Sequence, residues 1–281
     1  MIGIIGGTGL YQIEGLEVVQ TKTVETPFGF PSAPLILGHL GKEKVVFLPR
    51  HGSRHQLLPS EINFRANIWA LKSLGVRQVL SISAVGSLEK KIVPGDFAMP
   101  NQYFDWTKGR RIHTFFGDGI VAHISTAEPA CPSLMKKLEN TSENLGYKLH
   151  TGKIYACVEG PRLGTRAESH FLKNSGCHLV GMTNIPEAFL AREAQLCYVT
   201  LAVATDYDCW LEDPVHHVTT EQILKLYKES LEKVKILIKK FVSGTRNSTS
   251  CSCRESLKGA LVTSVSELGE EKKKILNFLM E

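Results

Sequence analysis

The chain has 281 residues, 43% of them hydrophobic and 22% charged, which excludes a disordered tail, a collagen-like repeat and a low-complexity assembly. Its 33 Lys and Arg exceed its 28 Asp and Glu by only +5 and are scattered, which suits attraction of small anions better than tracking a nucleic-acid backbone. No apolar run approaches the roughly 18 residues of a membrane span, and the N-terminal run meets glycines too early for a signal peptide, so a cytoplasmic protein with no membrane or nucleic-acid partner is expected.

The first predicted strand, residues 1–5, runs into Gly6-Gly7-Thr8-Gly9. Glycines there let backbone amides approach an anion, and the Thr8 hydroxyl adds a donor. The pattern is neither a dinucleotide fingerprint nor a Walker loop, and a plain tight turn also fits it. Strands at 34–38 and 44–48 follow, the second leading into Arg50-His51-Gly52-Ser53-Arg54-His55. An arginine fork offers paired donors to phosphate or carboxylate, and His51 adds another. His51 and His55 imitate a metal pair by spacing but have no acidic ligand beside them, so no metal is expected; a charged surface loop is the alternative. A helix at 61–74, started by Pro59-Ser60, precedes a strand at 76–82. That strand ends in Ser81-Ile82-Ser83-Ala84, small residues and hydroxyls where a ligand can touch the main chain, or an ordinary turn.

A helix at 131–145 and a strand at 154–158 come next. They lead to a loop from Val158 to Glu168 that enters a helix over 166–174 and holds a buried-looking Glu and Arg pair, read as a structural ion pair. The strand at 178–182 gives way to Met182-Thr183-Asn184 and a helix at 185–195, so the Thr183 hydroxyl is expected at a helix N-terminus, where an anion is favoured. The strand at 198–205 is apolar up to Asp206 and Asp208. In an extended chain these two share a face, and burial with like charge raises one pKa to give a neutral acid near pH 7; a turn capped by Asp is the alternative. In the last predicted helix, 220–241, Ile223, Leu224, Tyr227, Leu231, Val234 and Ile238 recur with a helical period as a core stripe.

Strands alternating with helices argue for an α/β fold, a single domain with a central mixed β-sheet flanked by helices over residues 1–243. Residues 244–281 hold a linker-like stretch and a C-terminal helical appendix packed on the same domain. In it, Cys251-Ser252-Cys253 has unusual spacing for a zinc pair and no second pair after it, so free thiols or a strained local disulfide fit better. The other five of the seven cysteines sit in apolar surroundings.

Gly6-Gly-Thr-Gly-Leu10, Thr26-Pro-Phe-Gly29, Arg50-His-Gly52, Asn67-Ile-Trp-Ala-Leu71, Glu159-Gly-Pro-Arg162, Arg166-Ala-Glu-Ser169, Met182-Thr183 with Pro186-Glu187, and Ala204-Thr-Asp-Tyr-Asp-Cys-Trp210 stand in this order. From Gly6 to about Phe241 the chain resembles the purine nucleoside phosphorylase superfamily, in the trimeric-type branch that contains 5′-methylthioadenosine phosphorylases. The resemblance implies a pentosyltransferase of purine and methionine salvage: phosphate attacks C1′ of 5′-methylthioadenosine, giving adenine and 5-methylthioribose 1-phosphate. It implies no cofactor, inorganic phosphate being a co-substrate.

By position, the resemblance puts phosphate on Thr8, Arg50, His51, Ser83 and Thr183 with the Ala84 amide, all as donors. It makes Asp206 the acid at the purine N7 and gives Asp208 the 6-amino group, whereas relatives acting on 6-oxopurines are expected to carry Asn in place of Asp206. Met182 is expected beneath the ribose, and Val218, Thr220 and Ile223 near the 5′ group. Leu163-Gly164 stands where the family usually has Phe-Ser, which removes an aromatic contact from the substrate pocket and makes Gly164 a specificity position. A homo-oligomer, trimer or dimer of trimers, is implied, with His123 reaching the 5′ substituent from a neighbouring subunit. Two other readings remain at this point: a related phosphorylase preferring inosine, guanosine or methylthioinosine, and a nucleoside-binding protein without turnover.

Overall fold

The computed structural model describes residues 1–7, 10, 12–211, 219–243 and 251–281. Its strands are β1 (Ile2–Gly6), β2 (Leu16–Lys22), β3 (Leu35–Leu40), β4 (Glu43–Pro49), β5 (Gln78–Ser87), β6 (Phe97–Trp106), β7 (Leu149–Val158), β8 (Leu179–Gly181) and β9 (Cys197–Asp206). They form one mixed sheet in the order β2-β3-β4-β1-β5-β8-β7-β6-β9, and β5 also pairs with β9. The closure follows from the length of β5. Its first part lies between β1 and β9, and its last residues, Gly86 and Ser87, turn to pair with β8. The strands β5, β8, β7, β6 and β9 therefore close on themselves, while β2, β3, β4 and β1 extend as an open wing.

Helices α1 (Phe64–Ser73), α2 (Pro132–Asn144), α3 (Arg166–Asn174), α4 (Asn184–Glu193), α5 (Thr220–Ser243) and α6 (Glu270–Met280) flank this sheet. Alternation along the strands divides the core. Ile5, Val46, Leu48 and Val79 point to the layer of α1, α4 and α6, whereas Ile4, Val45, Phe47 and Leu80 point to that of α2 and α5. Chain residues beyond the sheet close the first layer: Phe278 stacks on Trp69 with ring centroids 4.0 Å apart, and Lys72 Nζ donates to the Leu279 carbonyl at 2.8 Å.

The expected α/β fold class is the one observed. Two strands, β2 and β6, are additional, and α6 is a helix within the C-terminal stretch expected to be a helical appendix. β2 is an exposed edge strand paired only with β3. β6 carries Pro100 in its middle, and register shifts on both sides of that proline let it pair with β7 without the missing N–H. α6 packs Leu276 and Leu279 inward while its charges face solvent. The helix predicted from residue 61 begins with a short 3-10 turn at Pro59–Glu61; the α-helix proper is capped by Asn63, which accepts from Ala66 N–H. The stripe on α5 is core only in part. Val234 and Ile238 are fully buried, but Leu224 is 51% exposed because the first turns extend beyond the faces that pack on β9 and α2. All seven cysteines are free of disulfides.

Candidate functional site

β1, β4, β5 and β9 run parallel, so their carboxyl ends open along one edge of the sheet, where α/β proteins gather ligands. Arg50 follows β4 and Asp206 ends β9, while Ser83 and Ala84 lie within β5 just past the stretch paired with β1. β8 runs the other way against β5, which returns Thr183 to the side of Ser83, their hydroxyl oxygens 3.5 Å apart. The buried Tyr155 of β7 places its hydroxyl 3.3 Å from Ser83 Oγ and accepts from the Thr183 N–H at 3.4 Å. Gly181 makes room for that ring, since a Cβ there would run into the Tyr155 hydroxyl. Thr183 makes no side-chain capping bond, and Ile185 (φ −113°, ψ 129°) interrupts the start of α4. The regular helix therefore begins beyond Ile185, and the dipole expected directly at Thr183 is displaced along the chain.

Arg50 is 2% exposed. Its Nε and Nη2 clamp both Glu187 oxygens at 2.7 and 2.9 Å, Nη2 also donates to Ser81 Oγ at 2.6 Å, and Nη1 donates to the Ile82 carbonyl at 2.9 Å. Ser81 and Tyr198 donate in turn to Glu187 Oε1. The paired fork read as free for an anion is thus spent on Glu187, and one Nη1–H remains. Against the cost of burial, Glu187 keeps the guanidinium more firmly protonated than in water.

His51 departs from expectation in a second way. Its Nδ1 lies 3.0 Å from the Leu57 carbonyl, which can only accept, so Nδ1 carries the proton. Burial lowers the pKa to about 4. At neutral pH the ring is uncharged and its Nε2 is an acceptor, not the donor expected.

The strand and turn that carry Met182 and Thr183 are fastened by Arg111, a buried residue after β6. It donates to the carbonyls of Met182 (2.7 Å), Ile185 (2.6 Å) and Glu159 (2.9 Å), and its Nε pairs with Glu159 Oε1 at 3.0 Å. Despite desolvation, the Lys108 amide and Arg111 hold the Glu159 carboxyl below its usual range. Glu159 thus pairs with Arg111, which lies outside the segment 158–168 where a Glu and Arg pair was expected. Within that segment the pair is Arg162 with Glu168, at 2.6 and 2.8 Å and on the surface rather than buried, because Glu168 is turned toward the loop by its capping box with Thr165.

β9 ends at Asp206, and Asp208 follows in a turn at φ +52°. The two carboxylates meet through that turn rather than through an extended face: Asp208 N–H donates to Asp206 Oδ2 at 2.8 Å, while Thr205 Oγ1 donates to Oδ1 at 2.8 Å. Both alternatives weighed for this segment are realised, the capped turn and the raised acid. Burial pushes the Asp206 carboxyl up to about 6, overcoming the two hydrogen bonds that favour its anion, and burial raises Asp208 as well. Asp208 lines a cleft together with Trp106, Val158, Gly160, Gly164 and Val180.

A sequence model of the phosphorylase superfamily matches residues 1–243, most of the chain. The chain belongs to that family. S-methyl-5′-thioadenosine phosphorylase of Geobacter sulfurreducens is 44% identical over 280 residues, covering 100% of this chain and 98% of its own. The enzyme of the same name from Hyperthermus butylicus is 47% identical over 93% of this chain and 95% of its own. Among solved structures, a methylthioadenosine phosphorylase from an antarctic soil metagenomic library superposes with a TM-score of 0.94 at 42% identity, covering 100% of this chain and 98% of its own. The Schistosoma mansoni methylthioadenosine phosphorylase in complex with adenine gives 0.82 at 37% identity, with 86% of this chain and 90% of its own covered.

Of the residues the family resemblance singled out, Arg50, Ser83, Ala84, Thr183 and Asp206 converge on one sheet edge, with Asp208 and Gly164 on the adjoining cleft. Met182 presses its sulfur on Gly160. Leu163 is 49% exposed and lies outside the cleft lining, between Arg162 and Gly164, which line it. Thr8 and Val218 lie outside the described residues, as does the Thr220 side chain; Thr219 rather than Thr220 caps α5, accepting from Gln222 N–H at 3.3 Å. His123 stands elsewhere on the same chain, its N–H bonded to the Ala260 carbonyl at 2.8 Å. Glu187, Arg111 and Tyr155 carry no motif role in the sequence reading. Only the Pro186-Glu187 dipeptide hinted at the first.

Proposed function

We propose that this chain catalyses phosphorolysis of S-methyl-5′-thioadenosine to adenine and 5-methylthioribose 1-phosphate, with inorganic phosphate as co-substrate and no cofactor. The observation that carries the reading is the buried Asp206, raised to about 6 and hydrogen-bonded by the N–H of Asp208, which lines the cleft. A phosphate oxygen forms a bond to C1′ as the C1′–N9 bond breaks, and the bonding pair leaves with the purine. Protonation of N7 by Asp206 neutralises the departing base, and a pKa near 6 allows the acid both to hold that proton and to release it. The ribosyl centre passes through an oxocarbenium-like state that the phosphate anion stabilises and traps. Asp208, as an acceptor toward an exocyclic amine, favours adenine over 6-oxopurines.

In this reading Ser83, Thr183 and the Ala84 amide donate to phosphate, joined by Thr8 and the remaining Nη1–H of Arg50. His51, neutral with Nε2 as acceptor, takes the hydrogen of a protonated phosphate oxygen. Met182 supports the ribose, and Leu163, Gly164 and Thr220 shape the base and 5′ pockets. The catalytic domain spans residues 1–243 and residues 244–281 are its appendix. The working form is a homo-oligomer, a trimer or dimer of trimers, in which a neighbour's His123 completes the 5′ pocket. The exposed ring cluster of Phe104, Trp106 and Phe171 beside the cleft supports burial of this face by a second copy. Among the described residues no helix is long and apolar enough to cross a membrane.

The test is release of free base from methylthioadenosine, adenosine and inosine, each with and without phosphate. Adenine release that requires phosphate and is fastest from methylthioadenosine is expected. Release independent of phosphate, or inosine outpacing methylthioadenosine, overturns the assignment.

A further inference from the structure

At the opposite end of β9 from Asp206, the fold assembles a second cluster. Cys197 is the first residue of β9, Cys131 immediately precedes α2, and Cys251 and Cys253 follow from the C-terminal segment. Their four sulfurs all lie within 4.8 Å of one another, and Cys131 Sγ is 3.7 Å from Cys251 Sγ. Four thiolates at about 2.3 Å around one tetrahedral zinc ion stand about 3.8 Å apart. From spacing alone, Cys251-x-Cys253 lacks a second pair. The parallel pairing of β9 with β5 and the Cys131 N–H bond to the Tyr198 carbonyl at 2.8 Å supply it from distant parts of the chain.

We propose that Cys131, Cys197, Cys251 and Cys253 form a tetrathiolate site for one zinc ion, which fastens the C-terminal segment to the starts of α2 and β9.

The donor set is all sulfur, which selects a soft ion and excludes magnesium or calcium. Cys131, Cys197 and Cys253 are buried and Cys251 is half-buried, within an apolar layer that includes Leu134 and Val234. Arg254, next to Cys253 in the chain, brings a positive charge into the same segment. β9 has 10 residues, so the cluster is about 30 Å from Asp206. The ion is structural and takes no part in catalysis.

The test uses the full chain purified without chelator. Elemental analysis should give one zinc per chain, and exchange with cobalt(II) should give the visible bands of a tetrahedral thiolate complex. Denaturation with chelator and without reductant should leave all seven cysteines open to alkylation. Substituting Cys251→Ser with Cys253→Ser should abolish the metal and lower Tm while leaving kcat at low temperature within about twofold of the parent, as the site is remote from the chemistry. Iron in place of zinc, a metal-free protein with four titratable thiols here, or cysteines missing from the alkylation count because they are joined as disulfides would each overturn the proposal. The cobalt spectrum of the unsubstituted chain decides the matter even if the double variant fails to fold.

Discussion

Asp206→Asn separates the chemistry of this carboxyl from the cost of burying it. The group is 8% exposed and ionises at about 6 in the folded chain against an ordinary value of 3.8. A difference of about two pH units corresponds to about 3 kcal/mol. Between pH ~4 and ~6 the folded state holds a proton that the unfolded chain has lost, so stability falls as pH rises through that window, and the deficit is complete above it. An amide cannot ionise and escapes the loss. The local geometry accepts it: the amide oxygen can take the Asp208 N–H, and the amide nitrogen can donate to Thr205 Oγ1, whose proton turns to the Val85 carbonyl at 3.2 Å. Thermal unfolding should therefore show the variant more stable at pH 8 by at most about 3 kcal/mol, roughly 6–12 °C in Tm, with the two proteins converging near pH 4. Adenine release should drop by about 10²–10⁴-fold, the usual worth of a general acid. A Tm difference that ignores pH would refute burial as the cause of the raised pKa. Activity within about tenfold of the parent would refute the acid role.

Two further substitutions probe the frame around the site. Arg111→Met should destabilise the fold by about 3–5 kcal/mol, because Glu159 is left as an uncompensated carboxylate with a pKa already held low by its partners; denaturant unfolding measures it, and a loss below about 1 kcal/mol would show that the loop holds itself. Gly181→Ala should cost several kcal/mol through the clash with the Tyr155 hydroxyl and should be partly rescued by Tyr155→Phe. Equal losses in the single and double variants would point to backbone strain instead.

Much of this architecture was legible because the buried strands are short apolar runs ending at polar motifs. β1, β4 and β9 were found for that reason, and with them the positions of Arg50 and Asp206. β6 escaped because Pro100 argues against a strand unless a bulge absorbs it, and a bulge is visible only once the partner strand is in place. The residues missed at the site share a feature. Glu187, Arg111 and Tyr155 act across long sequence separations, through hydrogen bonds to carbonyls or carboxylates that no local pattern announces. The sulfur cluster is the same case: its second pair of cysteines comes from residues far apart in the chain.

The charge balance at the phosphate end leads to one more expectation. Arg50 is neutralised by Glu187, Arg111 by Glu159, and His51 is uncharged near pH 7. Asp206 adds negative charge as it ionises above about 6. Neither Arg50 nor Arg111 is thus an uncompensated cation, and in the proposed reading phosphate meets oriented donors at this edge. Binding that rests on hydrogen bonds is weakly screened, so the KM for phosphate should change by no more than about twofold between low and high salt. It should also rise with pH above 6 as Asp206 ionises, and the Asp206→Asn variant should lose that part of the rise. A steep salt dependence would mean that Arg50 leaves Glu187 to meet the anion as a free charge. In that event Glu187 would act as a gate for the arginine and not as its permanent partner.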